Sequence, residues 1–227
     1  MQDDNKRLAA EAAVAEIGDD MLIGIGTGTT VAFAIEAIGR RREQWPKTKF
    51  FASSRATGRT AAAFGIPIMR FASVARLDLT IDGVDEIDTR FRAIKGGGGA
   101  LLREKIIATA SDRMVAIADG AKRVHSLGKA PIPVEILPFA KRFAQAQLSD
   151  LGARPVLRMS DRMAVYRTDQ GNFVLDCHFA AIPDPSALAV AIQAIPGALG
   201  HGMFLTEIDA TYIGEDGIVT KMERSLH

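Results

Sequence analysis

The feature that most constrains this chain is an apolar run, Met21–Ile25, that passes directly into Gly24-Ile25-Gly26-Thr27-Gly28-Thr29-Thr30 and then into a helical pattern over Val31–Arg41. A run this short, bounded by glycines, reads as a buried strand. A strand that feeds a glycine-rich turn and a helix leaves free backbone N–H groups at the helix N-terminus, a ready anion site. The same alternation continues. Lys49–Ala52 reads as a strand, Ala56–Phe64 as a helix ending at Gly65, Leu77–Ile81 as a strand, Ala100–Ala110 as a helix and Met114–Ala118 as a strand. Short apolar strands alternating with helices predict a parallel sheet covered on both faces. Ahead of it, the alanine-rich segment Asp4–Ile17 reads as a helix with Gly18 as its C-cap.

The pattern changes after Leu127, where Gly128-Lys129-Ala130-Pro131-Ile132-Pro133-Val134 has the proline content of a boundary. Beyond it the order is strand (Pro133–Ile136), helix (Phe139–Leu151), strand (Pro155–Arg158), strand (Phe173–Phe179), helix (Ser186–Ile195) and strand (Met203–Thr206). That β-α-β-β-α-β order is the ferredoxin-like arrangement. A closing hairpin around Asp216-Gly217 is expected to return to the first sheet. The expected fold is therefore α/β: a Rossmann-like parallel sheet domain (1–127 plus 207–227) with an inserted ferredoxin-like α+β domain (128–206).

Composition narrows the function classes. Lys plus Arg is 28 and Asp plus Glu is 27, a net charge of +1, so no global excess recruits nucleic acid or an anionic membrane. Cys177 is the single cysteine, which excludes an internal disulfide and suits a reducing cytosol. It reads as a buried strand residue. The start of the chain lacks the apolar core of a secretory signal, and no run approaches the ~20 residues of a membrane span. The expected location is cytoplasmic.

The first glycine loop lacks the third glycine of a dinucleotide fingerprint, and the second strand runs into Ala52-Ser53-Ser54 with no acid for a ribose. It also lacks a P-loop lysine. A small phosphate ester fits better, with Thr27, Thr29 and Thr30 as hydroxyl donors; a plain turn with a threonine cap is the bland alternative. A second loop, Lys95-Gly96-Gly97-Gly98-Gly99, is costly in backbone entropy for a simple turn, which suggests a backbone wrapped around a ligand. Asp82 and Asp85 fall just past the carboxyl end of a strand, where open α/β sheets bind ligands. Glu86 and Asp88 read as solvated. Glu104, one turn into the next helix, fits a catalytic role or a simple favourable charge near a helix N-terminus. Lys95 and Lys122 are weak signals in isolation. His125, His178, His201 and His227 show no metal-ligand spacing, so no metal is expected.

Together these segments resemble the type A ribose-5-phosphate isomerases. The matching residues are Gly24–Thr30, Asp82-Gly83-Val84-Asp85-Glu86, the stretch Lys95–Ile106 that contains the glycines and Glu104, and Gly128–Glu135, in the family's order and spacing. Thr29 stands where serine is more usual, and Arg55 follows Ser53-Ser54 in a variable loop. The resemblance implies interconversion of D-ribose 5-phosphate and D-ribulose 5-phosphate in the non-oxidative pentose phosphate pathway, without metal or organic cofactor. Carried over by position, the general base falls on Glu104, the acidic pair on Asp82 and Asp85, and the active-site lysine on Lys95. Substrate binding falls on Thr27, Gly28, Thr29 and Thr30, on Asp82 through Gly83 and Val84 to Asp85, and on Lys95, Gly96, Gly97 and Gly98. Lys6 and Lys122 match further substrate-contacting lysines. The partners implied are a small sugar phosphate and further copies of the chain, as a homodimer or homotetramer, with neither nucleic acid nor membrane. A sugar-phosphate sensor is a competing reading, but related regulators carry a helix-turn-helix that residues 1–20 leave no room for. Coenzyme A transferases, lactonases and amino-sugar isomerases share similar folds; the pairing of Asp82 and Asp85 with Lys95–Glu104 argues against them.

Overall fold

A computed structural model describes residues 1–225; Leu226 and His227 lie outside the described residues. In chain order the elements are α1 (Gln2–Val14), β1 (Leu22–Ile25), α2 (Thr29–Arg41), β2 (Lys49–Ala52), α3 (Arg55–Ala63), β3 (Leu79–Gly83), β4 (Glu86–Ile87), β5 (Ala93–Ile94), α4 (Leu101–Ala110), β6 (Met114–Asp119), β7 (Ile132–Ile136), α5 (Lys141–Asp150), β8 (Arg154–Leu157), β9 (Phe173–His178), α6 (Pro185–Gln193), β10 (Ala198–His201), β11 (Met203–Phe204), β12 (Ala210–Glu215) and β13 (Ile218–Glu223). They form two compact units. The first holds Met1–Val84, Arg103–Arg123 and the chain from Thr206; the second holds Asp85–Leu102 and Val124–Leu205.

The first unit is built on a six-stranded sheet of order β13-β12-β6-β3-β1-β2, parallel except for the β13 edge. Strand side chains alternate between faces. Ile23 and Ile25, Leu79 and Ile81, Val115 and Ile117, and Ala210 and Tyr212 therefore share one face, where they pack with α1 and α2. Each fully buried Ile or Leu there contributes about 1.5–3 kcal/mol. The opposite face carries Phe51 and Leu77 against Ile107 of α4. Gly24 lies on that face, and a Cβ there would sit 2.6 Å from Ile107 and 2.1 Å from the Thr80 hydroxyl, so helix and sheet meet across a missing side chain. The expected closing hairpin is present: β12 pairs β6, and Asp216 and Gly217 turn it with positive φ.

The second unit contains the antiparallel sheet β10-β7-β9-β8, the 4-1-3-2 order of a ferredoxin-like fold, with a core of Ile132, Val134, Ile136, Leu175, Cys177, Ala144, Leu148 and Ile192. A small sheet, β11-β5-β4, belongs to the same unit.

Several expectations about the fold differ from what is found. The fourth ferredoxin strand is Ala198–His201, while Met203–Phe204 pairs with Ala93 and Ile94; Gly197, Gly200 and Gly202 hide that strand by breaking its alternation. Residues 85–102 and 124–127, read with the parallel sheet, group with the second unit because β4 and β5 pair with β11 and each other. The first helix ends at Val14 and is capped by Ala15 in helical geometry, not by Gly18. Glu86 and Asp88 are buried rather than solvated. Glu86 accepts from the N–H groups of Gly128 (2.9 Å) and Ala130; Asp88 accepts from those of Arg90 (2.9 Å) and Arg92 (3.0 Å) and pairs with the Arg92 guanidinium. Both carboxylates satisfy turn N–H groups that would otherwise be stranded.

Candidate active site

In the first unit the strand order reverses between β1 and β3, the point where open α/β sheets form a ligand crevice at their carboxyl ends. Asp82 stands there. It lies within β3 rather than past its end, on the α4 face, and is 1% exposed. Its Oδ1 accepts from the N–H of Thr27 (3.1 Å) and of Gly83 (2.7 Å). A Cβ on Gly26 would lie 1.8 Å from that oxygen, so only glycine lets the loop close over the carboxylate.

The loop then delivers α2. Its N-cap is Gly28, with φ 139° and no capping side chain, and no acid stands in the first turn. Threonine capping is therefore not used. Gly28 and Thr29 are exposed and Thr30 is buried. This uncapped end of a 13-residue helix keeps its N–H groups and positive dipole end for an anion. Thr27 differs from the expectation for a hydroxyl donor. Its Oγ1 sits among Ser53 Oγ (2.8 Å), Ser54 Oγ (2.8 Å) and Thr57 Oγ1 (2.9 Å), and Thr57 Oγ1 donates to the Gly26 carbonyl (2.7 Å). Its hydroxyl braces the loop, and its N–H holds Asp82.

Glu104 lies in the first turn of α4 and is 2% exposed. The far end of that helix marks the amino edge of the sheet, where Leu77 N–H donates to the Ala110 carbonyl (2.9 Å) and the Thr80 and Ser111 hydroxyls meet at 2.6 Å. Ile107 lies over Gly24. Glu104, one turn earlier on the same helix face, is carried from Gly24 toward the level of Gly26 and Asp82. In the same unit, Lys122 and Lys6 follow residues at the carboxyl edge of the sheet. Lys122 follows β6 in a short turn that Asp119 caps by accepting from Ala121 N–H (3.0 Å), and its side chain makes no hydrogen bond or ion pair among the described residues. Lys6, 12% exposed and paired with exposed Asp3 at 3.2 Å, follows Asn5, whose carbonyl packs on Gly214 near the carboxyl end of β12.

In the second unit, Asp85 Oδ2 accepts from Gly97 N–H (2.8 Å), and Asp85 N–H donates to the Ile94 carbonyl (2.8 Å). Lys95 is 2% exposed; its N–H donates to the Gly202 carbonyl (2.8 Å), and its Nζ lies 5.3 Å from the centre of the Phe204 ring. Gly97 and Gly98 are exposed, and Gly96 and Gly99 have positive φ. Sequence reasoning missed what holds this loop. Arg158 Nη1 donates to the carbonyls of Gly96 (2.9 Å) and Gly97 (3.1 Å), and Tyr166 hydroxyl donates to that of Gly98 (3.3 Å). The only available signal was an arginine ending an otherwise apolar strand. Cys177 is fully buried as expected, and burial pushes its thiol up to about 12. Among the described residues no three His, Cys, Asp or Glu side chains gather as metal ligands, and His227 lies outside them. No described helix is long and apolar enough to cross a membrane.

Residues 49–217 match the family of ribose 5-phosphate isomerase A (phosphoriboisomerase A). Ribose-5-phosphate isomerase A of Sphingopyxis alaskensis is 48% identical over 219 residues, covering 96% of each chain. The Neisseria gonorrhoeae ribose 5 phosphate isomerase A crystal structure superposes with a TM-score of 0.93 at 36% identity, covering 100% of this chain and 99% of that one. A D-ribose-5-phosphate isomerase in complex with phospho-erythronic acid gives a TM-score of 0.95 at 34% identity, covering 99% and 100%.

Proposed function

Because the chain belongs to the ribose 5-phosphate isomerase A family, it isomerises ribose 5-phosphate, and we propose that it does so through a cis-enediolate with Glu104 as the general base. Converting the aldose to ribulose 5-phosphate moves a proton from C2 to C1 while the two oxygens exchange oxidation level. The change is internal, so no external hydride carrier is consumed. Glu104 takes the proton from C2 and returns it to C1. Lys95 and the N–H groups of the glycine loop stabilise the oxyanion that develops between. Asp82 relays the proton of the oxygens and assists ring opening, and Asp85 orients it or the sugar hydroxyls. The phosphate rests on the N-terminus of α2, at Gly28–Thr30, with Lys6 and Lys122 adding charge. Its binding energy offsets the cost of ordering the reacting end. The enzyme works in the cytoplasm as a homodimer or homotetramer.

What most supports this reading is a pair of buried carboxylates, Asp82 and Glu104, on one face of the first sheet beside an uncapped helix N-terminus. Purified chain mixed with ribose 5-phosphate in the presence of a chelator tests the activity. Ketose formation up to the equilibrium mixture, one ketose per aldose consumed, is expected; no conversion would overturn the activity, and conversion abolished by the chelator would overturn the cofactor-free mechanism.

A further inference from the structure

The glycine loop is asymmetric in its hydrogen bonding. Three successive carbonyls, those of Gly96, Gly97 and Gly98, are taken by Arg158 and Tyr166, and the N–H of Gly97 is taken by Asp85. Gly99 N–H closes back on the Gly96 carbonyl at 2.9 Å. Among the described residues the N–H groups of Gly96 and Gly98 have no acceptor. A loop without Cβ atoms could turn either its carbonyls or its N–H groups toward a ligand. Arg158 removes that choice by occupying the carbonyls.

Arg158 is itself fixed. Its Nε donates to Asp176 Oδ2 at 2.9 Å, its Nη2 pairs with the other carboxylate oxygen, and its side chain is 14% exposed. The guanidinium lies 5.8 Å from the Tyr166 ring, and Tyr166 N–H donates to the Arg158 carbonyl at 3.0 Å, which seats both residues together. A planar fork anchored on one carboxylate and reaching two carbonyls is a task that lysine cannot reproduce. The apolar core of the ferredoxin-like sheet includes neither Arg158 nor Asp176, although that pair and the Arg158 N–H, which donates to the Val174 carbonyl at 2.9 Å, also tie the end of β8 to β9.

We propose that Arg158, oriented by Asp176, is a positioning residue for the isomerisation: it holds the glycine loop with its carbonyls turned away, so that the loop offers only donors to the developing enediolate and keeps Asp85 in register. This rests on the mechanism proposed above. The charge on Arg158 acts through the loop and touches no reacting atom.

The test is Arg158→Gln, with Arg158→Lys as the variant that keeps charge and aliphatic stem, each assayed for turnover and for inhibition by two probes. Phospho-erythronic acid reports the reacting end, and inorganic phosphate reports the α2 anchor. Expected are a fall in kcat of about 10–100-fold, since a misplacement near 1 Å costs up to ~10²-fold, an equal weakening of phospho-erythronic acid inhibition, and inorganic phosphate inhibition within twofold of wild type. Guanidinium ion added to Arg158→Ala should restore part of the lost turnover. Either folded variant with kcat within twofold of wild type overturns the proposal, as does equal weakening of both inhibitors. If Glu104→Gln remains fully active, the base assignment fails instead, a result separable from any Arg158 outcome.

Discussion

Replacing Gly26 by alanine tests the packing on which the first unit's site depends. The new Cβ would fall 1.8 Å from Asp82 Oδ1 and 1.9 Å from its Cγ. Ordinary contact needs roughly 3.5 Å, so carboxylate or loop must move by more than ~1.5 Å. That displacement breaks the bonds from Thr27 and Gly83 N–H, each contributing about 0.5–1.5 kcal/mol, and leaves a buried acceptor unmet at a further cost of ~1–3 kcal/mol. Overpacking adds ~1–3 kcal/mol of its own. Relaxation recovers part of this, and a net loss of about 3 kcal/mol is expected in urea unfolding, with turnover down at least ~10²-fold from the misplaced carboxylate. Gly58→Ala is the matched control. It sits inside α3, nothing lies within 4 Å of its added Cβ, and replacing a helical glycine should stabilise by ~0.5–1 kcal/mol. If Gly26→Ala keeps wild-type stability and turnover, the loop does not close over Asp82 as described, and the reasoning fails.

Thr57→Val keeps the shape of the threonine but removes the hydroxyl that bonds the Gly26 carbonyl and Thr27, so it should lower kcat about tenfold, with Thr57→Ser restoring most of it; equal activity of both would show that the hydroxyl cluster does not brace the loop. Burial alone would raise the Glu16 carboxyl, but hydrogen bonds from Arg113, Tyr212 and Lys221 overcome it and bring the group down from 4.5 to about 2. A depressed carboxyl stabilises the fold fully above its unfolded value and loses that contribution as pH falls from about 4.5 toward 2. The full shift would correspond to ~3 kcal/mol, which solvent screening reduces to about 1 kcal/mol. Glu16→Gln should therefore flatten the acid limb of the stability–pH curve, and an unchanged limb would contradict the network. Cys177, fully buried with its thiol near 12, should resist thiol reagents until the protein unfolds, and rapid native-state labelling would show that the β7–β9 sheet opens.

The elements most legible in the sequence were those whose periodicity comes from burial. β1, β2 and β6 are short apolar runs, and Gly24–Thr30 announces a strand-to-helix turn. The fourth ferredoxin strand was illegible because Gly200 and its neighbouring glycines carry no side-chain pattern, whereas Met203–Phe204 looks like a strand and serves another sheet. Glu86 and Asp88 were misread because charge predicts solvent, and only the fold reveals the turn N–H groups they satisfy. Thr27 was read by its hydroxyl, but its partners Ser53, Ser54 and Thr57 lie 26–30 residues away, and no local rule brings them together. Arg158 shows the same limit: its loop partners are more than 60 residues distant. The resemblance named candidate reacting residues, and the structure supplied the hydrogen bonds that hold two of them, Asp82 and Asp85.

The most direct test of the central claim is the turnover of Glu104→Gln on ribose 5-phosphate, with KM measured on the same preparation. Removing a positioned base should cut kcat by at least ~10²-fold while KM stays within a few-fold. Turnover within about threefold of wild type would mean that another group moves the carbon-bound proton.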